Sequence, residues 1–330
     1  MAAFEGNLAI SRPVEAASPD LSIAVLLPSY NEAAAIATVI SDFRRALPGA
    51  RIYVYDNNST DGTALIARTA GAIVRSEPRQ GKGFVLRRMF ADINADVYVL
   101  CDADDTYDAS AAPQLVSQLV DNGLDMVVGT RAAISASAYR PAHAFGNRLL
   151  SGLVRQIFGE GFNDMLSGYR VLSNRFVKSF PAMSSGFETE TELTIHALEL
   201  EMPSAEVPTC FKDRAPGSES KLRTFADGWR ILWTILTLLR QERPLQLFGV
   251  AAALLAMLSV YLSVPVFITY FQTGLVPRMP TAVLSMGLML LAMLSLFSGL
   301  ILDSVTRGRC EMKRLRYLQY PGIHAAADEA

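Results

Sequence analysis

The sequence predicts an α/β fold: a Rossmann-like, mainly parallel sheet followed by an interfacial helix and two transmembrane helices. Three observations predict it. Short apolar runs alternate with segments of helical spacing from residue 21 to residue 128. Polar clusters follow three of those runs. Near the C-terminus, residues 245–271 and 281–302 carry no charged side chain.

Residues 23–27 form an apolar run closed by Pro28. Residues 34–47 set Ile36, Val39, Ile40 and Phe43 on one helical face. Residues 52–55 predict a strand, 62–69 a helix, 73–75 a short strand and 83–93 a helix. Val97 to Cys101 reads as a buried strand, followed by a helix over 111–120 and a strand over 126–128. Strands alternating with helices imply a parallel sheet with right-handed crossovers. Nucleotide-binding domains use that architecture, but a sheet alone assigns no function.

The net charge of −2 carries no nucleic-acid signature. Cys101, Cys210 and Cys310 are odd in number and scattered, so they suggest neither a disulfide framework nor a zinc site. His143, His196 and His324 share no ligand spacing. Residues 1–20 lack the cationic start and apolar core of a signal peptide and are expected as a flexible tail. The two charge-free stretches are long enough to cross a bilayer as helices. Ahead of them Trp229, Leu232, Trp233, Leu236 and Leu239 recur at helical spacing among Arg230, Arg240 and Arg243. An amphipathic helix of this kind suits a membrane interface, or packs on the globular domain. Arg307, Arg309, Lys313, Arg314 and Arg316 follow the second stretch, whereas only Arg278 lies between the two. The bias of basic residues therefore puts the globular domain and both termini on the cytoplasmic side of the membrane.

The three polar clusters are Pro28-Ser-Tyr-Asn-Glu32, Asp56-Asn-Asn-Ser-Thr-Asp-Gly-Thr63 and Asp102-Ala-Asp104. Each alone is ordinary turn chemistry. At successive carboxyl ends of one parallel sheet, however, they converge on a single crevice. Two carboxylates one residue apart suit a hard divalent cation, Mg²⁺ or Mn²⁺, which fills the rest of its shell with phosphate oxygens. Gln80-Gly-Lys-Gly83 is not a Walker loop, yet it can bring Lys82 near phosphate at a helix start. Residues 164–170 are rich in turn formers, an ordinary structural role for Ser167 and Gly168. Glu188, Glu190 and Glu192 precede an apolar helix over 193–200. They are either solvated acids at the positive end of its dipole or contacts to a sugar. Residues 212–223 mix Pro, Gly, Ser and charge, as expected of a lid over phosphates.

In this order and spacing, the three clusters and Gly81-Lys-Gly83 resemble the motifs of family 2 glycosyltransferases with the GT-A fold. The likeness continues through Gly129-Thr-Arg131, Asp164-Met-Leu-Ser-Gly-Tyr-Arg170, Gly186-Phe-Glu-Thr-Glu190 and Ser218-Glu-Ser-Lys-Leu222. That set is similar to the polyprenyl-phosphate branch, which includes dolichol-phosphate mannose synthases and bacterial polyisoprenyl-phosphate glucosyltransferases. The likeness covers about residues 21–240. It implies a tail at 1–20, a GT-A domain at 21–224, the interfacial helix at 225–243, two spans within 244–303 and a basic cytoplasmic tail at 304–330.

The resemblance also implies roles. Pro28, Tyr30, Glu32 and Asp56 would hold the donor's base and ribose. Lys82, Asp102, Ala103 and Asp104 would contact the nucleotide sugar, with Asp102 and Asp104 on the metal. Arg131 and Arg140 would face the acceptor phosphate, and Arg214 and Lys221 would close over the phosphates. Asp164, Ser167, Glu188 and Glu190 would touch sugar or acceptor. Three departures stand out. Thr106 replaces a Gln that joins the metal shell in mannose synthases. Ala144 replaces a Ser that helps hold the acceptor phosphate, and Asn57 replaces the second Asp of Asp-Asp-Gly-Ser, which bears on base preference.

The implied reaction is inverting transfer of a hexose from a GDP- or UDP-linked donor to a polyprenyl or dolichyl phosphate in a bilayer. A homo-oligomer stays open. One alternative is transfer to a sugar hydroxyl, whose processive enzymes carry a Gln-x-x-Arg-Trp motif that this sequence lacks. Another is an inactive nucleotide-sugar-binding membrane subunit, against which intact Lys82, Asp102, Asp104 and Arg131 speak.

Overall fold

The computed structural model describes residues 21–133, 162–183, 189–212, 237, 240 and 243–323. The expected N-terminal tail and almost all of the expected interfacial helix lie outside them. The chain divides into two units, one built on a sheet and one on the two C-terminal helices.

The sheet has seven strands in the order β3-β2-β1-β4-β6-β5-β7. They are β1 (Ile23–Ser29), β2 (Arg51–Asp56), β3 (Ile73–Ser76), β4 (Val97–Leu100), β5 (Met126–Ala133), β6 (Arg170–Ser173) and β7 (Ser204–Phe211). Only β6 runs against its neighbours, β4 and β5; all other pairs are parallel. Ala24 to Leu27 and all of β4 are buried, as continuous apolar runs must be when helices cover both faces of a sheet.

Helix α1 (Ile36–Ala46) buries Ile36, Val39, Ile40 and Phe43, and α4 (Ala112–Asp121) buries Leu115, Val116 and Leu119. Both stripes join Val25, Leu27, Val97 and Val99 in one apolar cluster. Helix α2 (Thr63–Thr69) follows β2. Side chains of the opposite parity, such as Tyr98, meet Phe90 of α3 (Lys82–Asp92) edge-on. Phe90 in turn meets Phe180, just past α5 (Asn174–Ser179).

Several elements differ from the sequence expectation, which assigned neither β7 nor α5. Strand β5 continues to Ala133, because β7 pairs with it from Met126 to Ala133. Arg131 therefore sits within the strand rather than after it. Strand β6 was not expected: its four residues are too few for a period and begin with an arginine. Helix α6 (Thr189–Glu199) starts four residues before the apolar stretch, which takes Glu190 into the helix and out of solvent.

The second unit carries α7 (Pro244–Thr273) and most of α8 (Met279–Tyr317), both long and apolar enough to cross a membrane. Beyond Pro244 at the start of α7, the buried positions along them are small: Ala252, Ser259, Ser285, Ala292 and Gly299. Small side chains let helix backbones approach where no water drives association. The Ser259 hydroxyl donates to Ser285 O (2.6 Å) and that of Ser295 to Phe248 O (3.0 Å). A Cβ at Gly299 would lie 2.9 Å from the Phe248 Cβ.

Residues 315–323, expected as part of a tail, belong to the sheet's unit. Ile323 enters the core cluster. The Tyr317 hydroxyl donates to Asp125 Oδ2 (2.7 Å), and the Arg175 guanidinium lies 4.7 Å from the Tyr317 ring centre. Asp125 has no exposed surface, and Arg175 grips it through Nε (2.5 Å) and Nη2 (2.9 Å). Removing the cation of such a pair strands a buried charge. Arg175→Ala is expected to cost about 3 kcal/mol of stability, read as a lower thermal midpoint, with Arg175→Lys recovering part.

Candidate active site

The first two clusters are knitted together at the carboxyl ends of β1 and β2. Asn57 N donates to Ser29 O (2.9 Å), Asn31 N to Ser59 Oγ (2.9 Å) and Glu32 N to Thr63 Oγ1 (2.9 Å). Asn31 takes φ +54°, a left-handed conformation that asparagine tolerates. Its Oδ1 accepts from Thr60 N (2.8 Å). Asp61 accepts from Ala33 N and from both the N and Oγ1 of Thr63. Burial works against its charge, but these hydrogen bonds outweigh it and hold the carboxyl below its ordinary range. Pro28 thus sits near the end of β1, and Tyr30 and Glu32 follow on a loop held by these hydrogen bonds, with Tyr30 exposed.

Asp56 closes β2. It is buried; its Oδ2 accepts from Ser59 N (3.2 Å), whereas its Oδ1 has no hydrogen-bond partner among the described residues. A buried carboxylate oxygen without a donor is costly unless a ligand supplies one. Asn57 is spent differently from the expectation of a base-reading residue. Its amide nitrogen donates to Glu77 O (2.8 Å) and Arg79 O (2.7 Å), and its Oδ1 accepts from Gly81 N (2.8 Å). It ties β2 to the loop that leads into Lys82. Gly81, with φ +138°, sits where L side chains seldom go.

Lys82 is the first residue of α3. Its ammonium pairs with Asp102 Oδ1 (2.5 Å) and with Glu190 Oε1. Burial favours the neutral amine, but the charges of Asp102 and Glu190 outweigh it and raise the pKa above the ordinary lysine value. Glu190 is buried, and among the described residues its second carboxylate oxygen has no hydrogen-bond partner. Of the two accounts offered by the sequence, a solvated helix start is excluded for Glu190.

Past β4, Asp102 keeps a third of its side chain exposed, while Ala103 and Asp104 are buried. Asp104 Oδ1 accepts from the Thr106 hydroxyl (2.6 Å). Thr106 therefore orients Asp104. Gly168 lies against Asp102 so closely that a Cβ would overlap the carboxylate, with Cγ only 2.8 Å away. Its amide donates to the Tyr107 hydroxyl (2.9 Å), and Ser167 Oγ donates to Gly129 O (2.5 Å). The turn over 164–169 is thus a moulded wall of the crevice. Gly168→Ala is expected to displace Asp102 and to lower catalytic efficiency by about 10²-fold, the scale of a misplaced catalytic group. An unchanged melting midpoint beside the lost activity separates displacement from unfolding.

On the far side, Arg131 donates from Nε (2.8 Å) and Nη2 (2.6 Å) to the two oxygens of Asp164, and its backbone N donates to Oδ2 (3.1 Å). Glu206 of β7 accepts from Asn163 N and Asp164 N, which fixes the carboxylate. Beneath lies Arg170, fully buried and donating to Ser167 O, Met165 O and Thr194 Oγ1. Burial lowers its pKa to about 10, so the guanidinium stays charged at neutral pH. Sequence reading assigned no role to Asn57 as a tether, to Gly168 as a close approach or to Arg170. All three stand in motifs of the family resemblance, but these roles rest on contacts distant in sequence that no local pattern encodes. Arg140, Glu188, Arg214, Lys221 and Ala144 lie outside the described residues.

The Asp102–Asp104 pair offers hard carboxylate oxygens, and a cation already rests on it in the form of Lys82. That donor set fits Mg²⁺ or Mn²⁺. Among the described residues no group of three or more His, Cys, Asp or Glu forms a metal cage, so such an ion would draw most of its shell from its ligand.

Comparison with known proteins identifies the family. The model described as Glycosyl transferase family 2 matches residues 24–178. Glycosyltransferase AglJ of Haloferax volcanii is 32% identical over 306 residues, covering 92% of this chain and 99% of that protein. A protein of the same organism named dolichyl-phosphate hexose transferase is 29% identical over 221 residues, covering 67% of this chain and 95% of that one. Glucosyl-3-phosphoglycerate synthase from Mycobacterium tuberculosis, solved with Mn²⁺, UDP and glucosyl-3-phosphoglycerate, is similar in fold. Its TM-score is 0.53 and its identity 26%, covering 67% of this chain and 79% of that chain. The matched segment carries Asp56, Lys82, Asp102, Asp104 and Arg131, and the likeness to AglJ extends along nearly both chains; this chain belongs to glycosyltransferase family 2.

Proposed function

We propose that the enzyme transfers a hexose, with inversion, from a nucleotide diphosphate sugar to a polyprenyl phosphate held in a membrane. The observation that carries the acceptor is the union in one chain of this crevice with two helices that can cross a bilayer. A soluble acceptor needs no such helices. The relative named dolichyl-phosphate hexose transferase supports the same acceptor class.

Asp56 takes a base N–H on its unpartnered oxygen, and Tyr30 and Glu32 border the same end of the crevice. Asp102 and Asp104 would hold Mg²⁺ or Mn²⁺ for the donor diphosphate, a reading that the Mn²⁺ and UDP in the mycobacterial synthase support. The bound ion supplies Lewis-acid stabilisation of the leaving nucleoside diphosphate. Thr106 keeps Asp104 in one rotamer, and Gly168 leaves room for Asp102.

The acceptor needs no general base. A phosphate monoester has a second pKa of about 6 and is mostly dianionic at neutral pH. It attacks the anomeric carbon as the bond to the donor diphosphate breaks. The difficulty is to bring two polyanions together. Arg131, oriented by Asp164, meets that need through a fixed, permanently charged fork. Arg140, Arg214 and Lys221 are proposed to add charge from the segments around it, and Glu188 and Glu190 to border the sugar; Ser167, fully buried with its hydroxyl on Gly129 O, shapes the turn instead. The globular domain and both termini are proposed to face the cytoplasm.

Screening GDP- and UDP-linked hexoses and N-acetylhexosamines against membranes containing the protein, with organic extraction of product, tests the assignment. One donor should yield extractable label that depends on added polyprenyl phosphate. Label remaining entirely in polysaccharide would point to a sugar-hydroxyl acceptor instead.

A further inference from the structure

The proposed metal ligand Asp102 already has a cation. Lys82 reaches it from the start of α3 and, in the same position, pairs with Glu190 at the start of α6. The Lys82 and Glu190 side chains are only 11% and 6% exposed. Asp104, two residues from Asp102, is buried as well. Two carboxylates, those of Asp102 and Glu190, therefore share the Lys82 ammonium.

A divalent ion approaching Asp102 meets two obstacles. One carboxylate oxygen is taken by Lys82, and the ammonium repels the incoming charge across a short distance in a partly desolvated site. A nucleoside diphosphate removes both. Its oxygens complete the ion's shell, and they offer Lys82 strong charge-assisted hydrogen bonds in exchange for Asp102.

We propose that Lys82 is a placeholder cation: it closes Asp102 to a divalent ion until a nucleoside diphosphate draws it away, so that metal and donor enter as a coupled pair. This rests on the proposed assignment of Asp102 and Asp104 to the metal. Coupling of this kind is reciprocal. The diphosphate must tighten the metal by the factor with which the metal tightens the diphosphate. Neutralising Lys82 should shrink that factor and let the ion bind alone. Glu190 holds the ammonium near its post, and so serves as a positioning residue for the exchange.

The test is Mn²⁺ binding to the full-length protein in detergent, followed by electron paramagnetic resonance without turnover. Wild type, Lys82→Met, Lys82→Gln and Lys82→Arg are titrated with Mn²⁺ alone, then with UDP or GDP present. The two neutral variants should bind Mn²⁺ alone about tenfold or more tightly than wild type, the scale of removing one nearby like charge. Their gain in Mn²⁺ affinity on adding nucleotide should be smaller, and Lys82→Arg should behave as wild type. Mere damage to the fold would weaken Mn²⁺ binding, so the direction of change discriminates. If the neutral variants bind Mn²⁺ alone no more tightly than wild type, while wild type binds it with nucleotide, the placeholder role is wrong and the metal assignment stands. If no form binds Mn²⁺ with or without either nucleotide, the metal assignment fails and the placeholder role falls with it.

Discussion

Asp104→Ala is expected to lower turnover by about 10²-fold or more, the scale of losing a principal electrostatic stabiliser. EDTA should do the same to the unaltered enzyme, and added Mg²⁺ or Mn²⁺ should restore it. The expectation rests on burial and orientation together. Asp104 is almost fully enclosed, and the Thr106 hydroxyl holds one of its oxygens. Thr106→Val should therefore give a milder version of the same defect, since the carboxylate stays and only its orientation loosens. Steady-state turnover at saturating donor, in metal-buffered solution, reads all three. Full activity in EDTA would remove the metal from the mechanism.

Arg131→Ala lowers efficiency toward the lipid phosphate by about 10²-fold, as expected for truncating one side of a partly buried charge contact. Donor affinity should stay nearly unchanged. The guanidinium sits on Asp164 with two hydrogen bonds and remains partly exposed, so it is held in place before the acceptor arrives. Arg131→Lys keeps the charge but loses the fork and should recover only part. Asp164→Asn keeps the shape and weakens the grip, so its defect should also fall on the acceptor and be smaller. Calorimetry with the donor nucleotide, beside turnover against lipid-phosphate concentration, separates the two sides. Loss of donor affinity with an unchanged acceptor dependence would move Arg131 to the donor side.

The sequence made the nucleotide half of the fold readable because its signals are local. Ile36, Val39, Ile40 and Phe43 repeat at a helical period, and the apolar β1 and β4 runs are those of strands buried on both faces. The polar clusters end those runs, so their convergence follows from parallel topology alone. The half that closes the sheet was less readable. Strand β6 is four residues long and opens with a buried arginine, a residue that hydropathy assigns to solvent. Arg131 lies in β5 only because β7, some eighty residues later, pairs along it. Glu190 reads as a helix-start acid until Lys82, more than a hundred residues earlier, is seen beside it. Gly168 passes for turn chemistry, and only the position of the Asp102 carboxylate shows why no side chain fits there. Each of these depends on a long-range contact, which no local pattern encodes.

The proposed nucleophile is a phosphate, and product analysis tests that most directly. The purified enzyme is given its labelled nucleotide sugar and a short polyprenyl phosphate, and the products are resolved by mass spectrometry. The account predicts a sugar joined to the lipid through a single phosphate, with one nucleoside diphosphate released per lipid consumed. Transfer to a sugar hydroxyl with polyprenyl phosphate left intact, or release of a nucleoside monophosphate with a diphosphate-linked lipid, would contradict it.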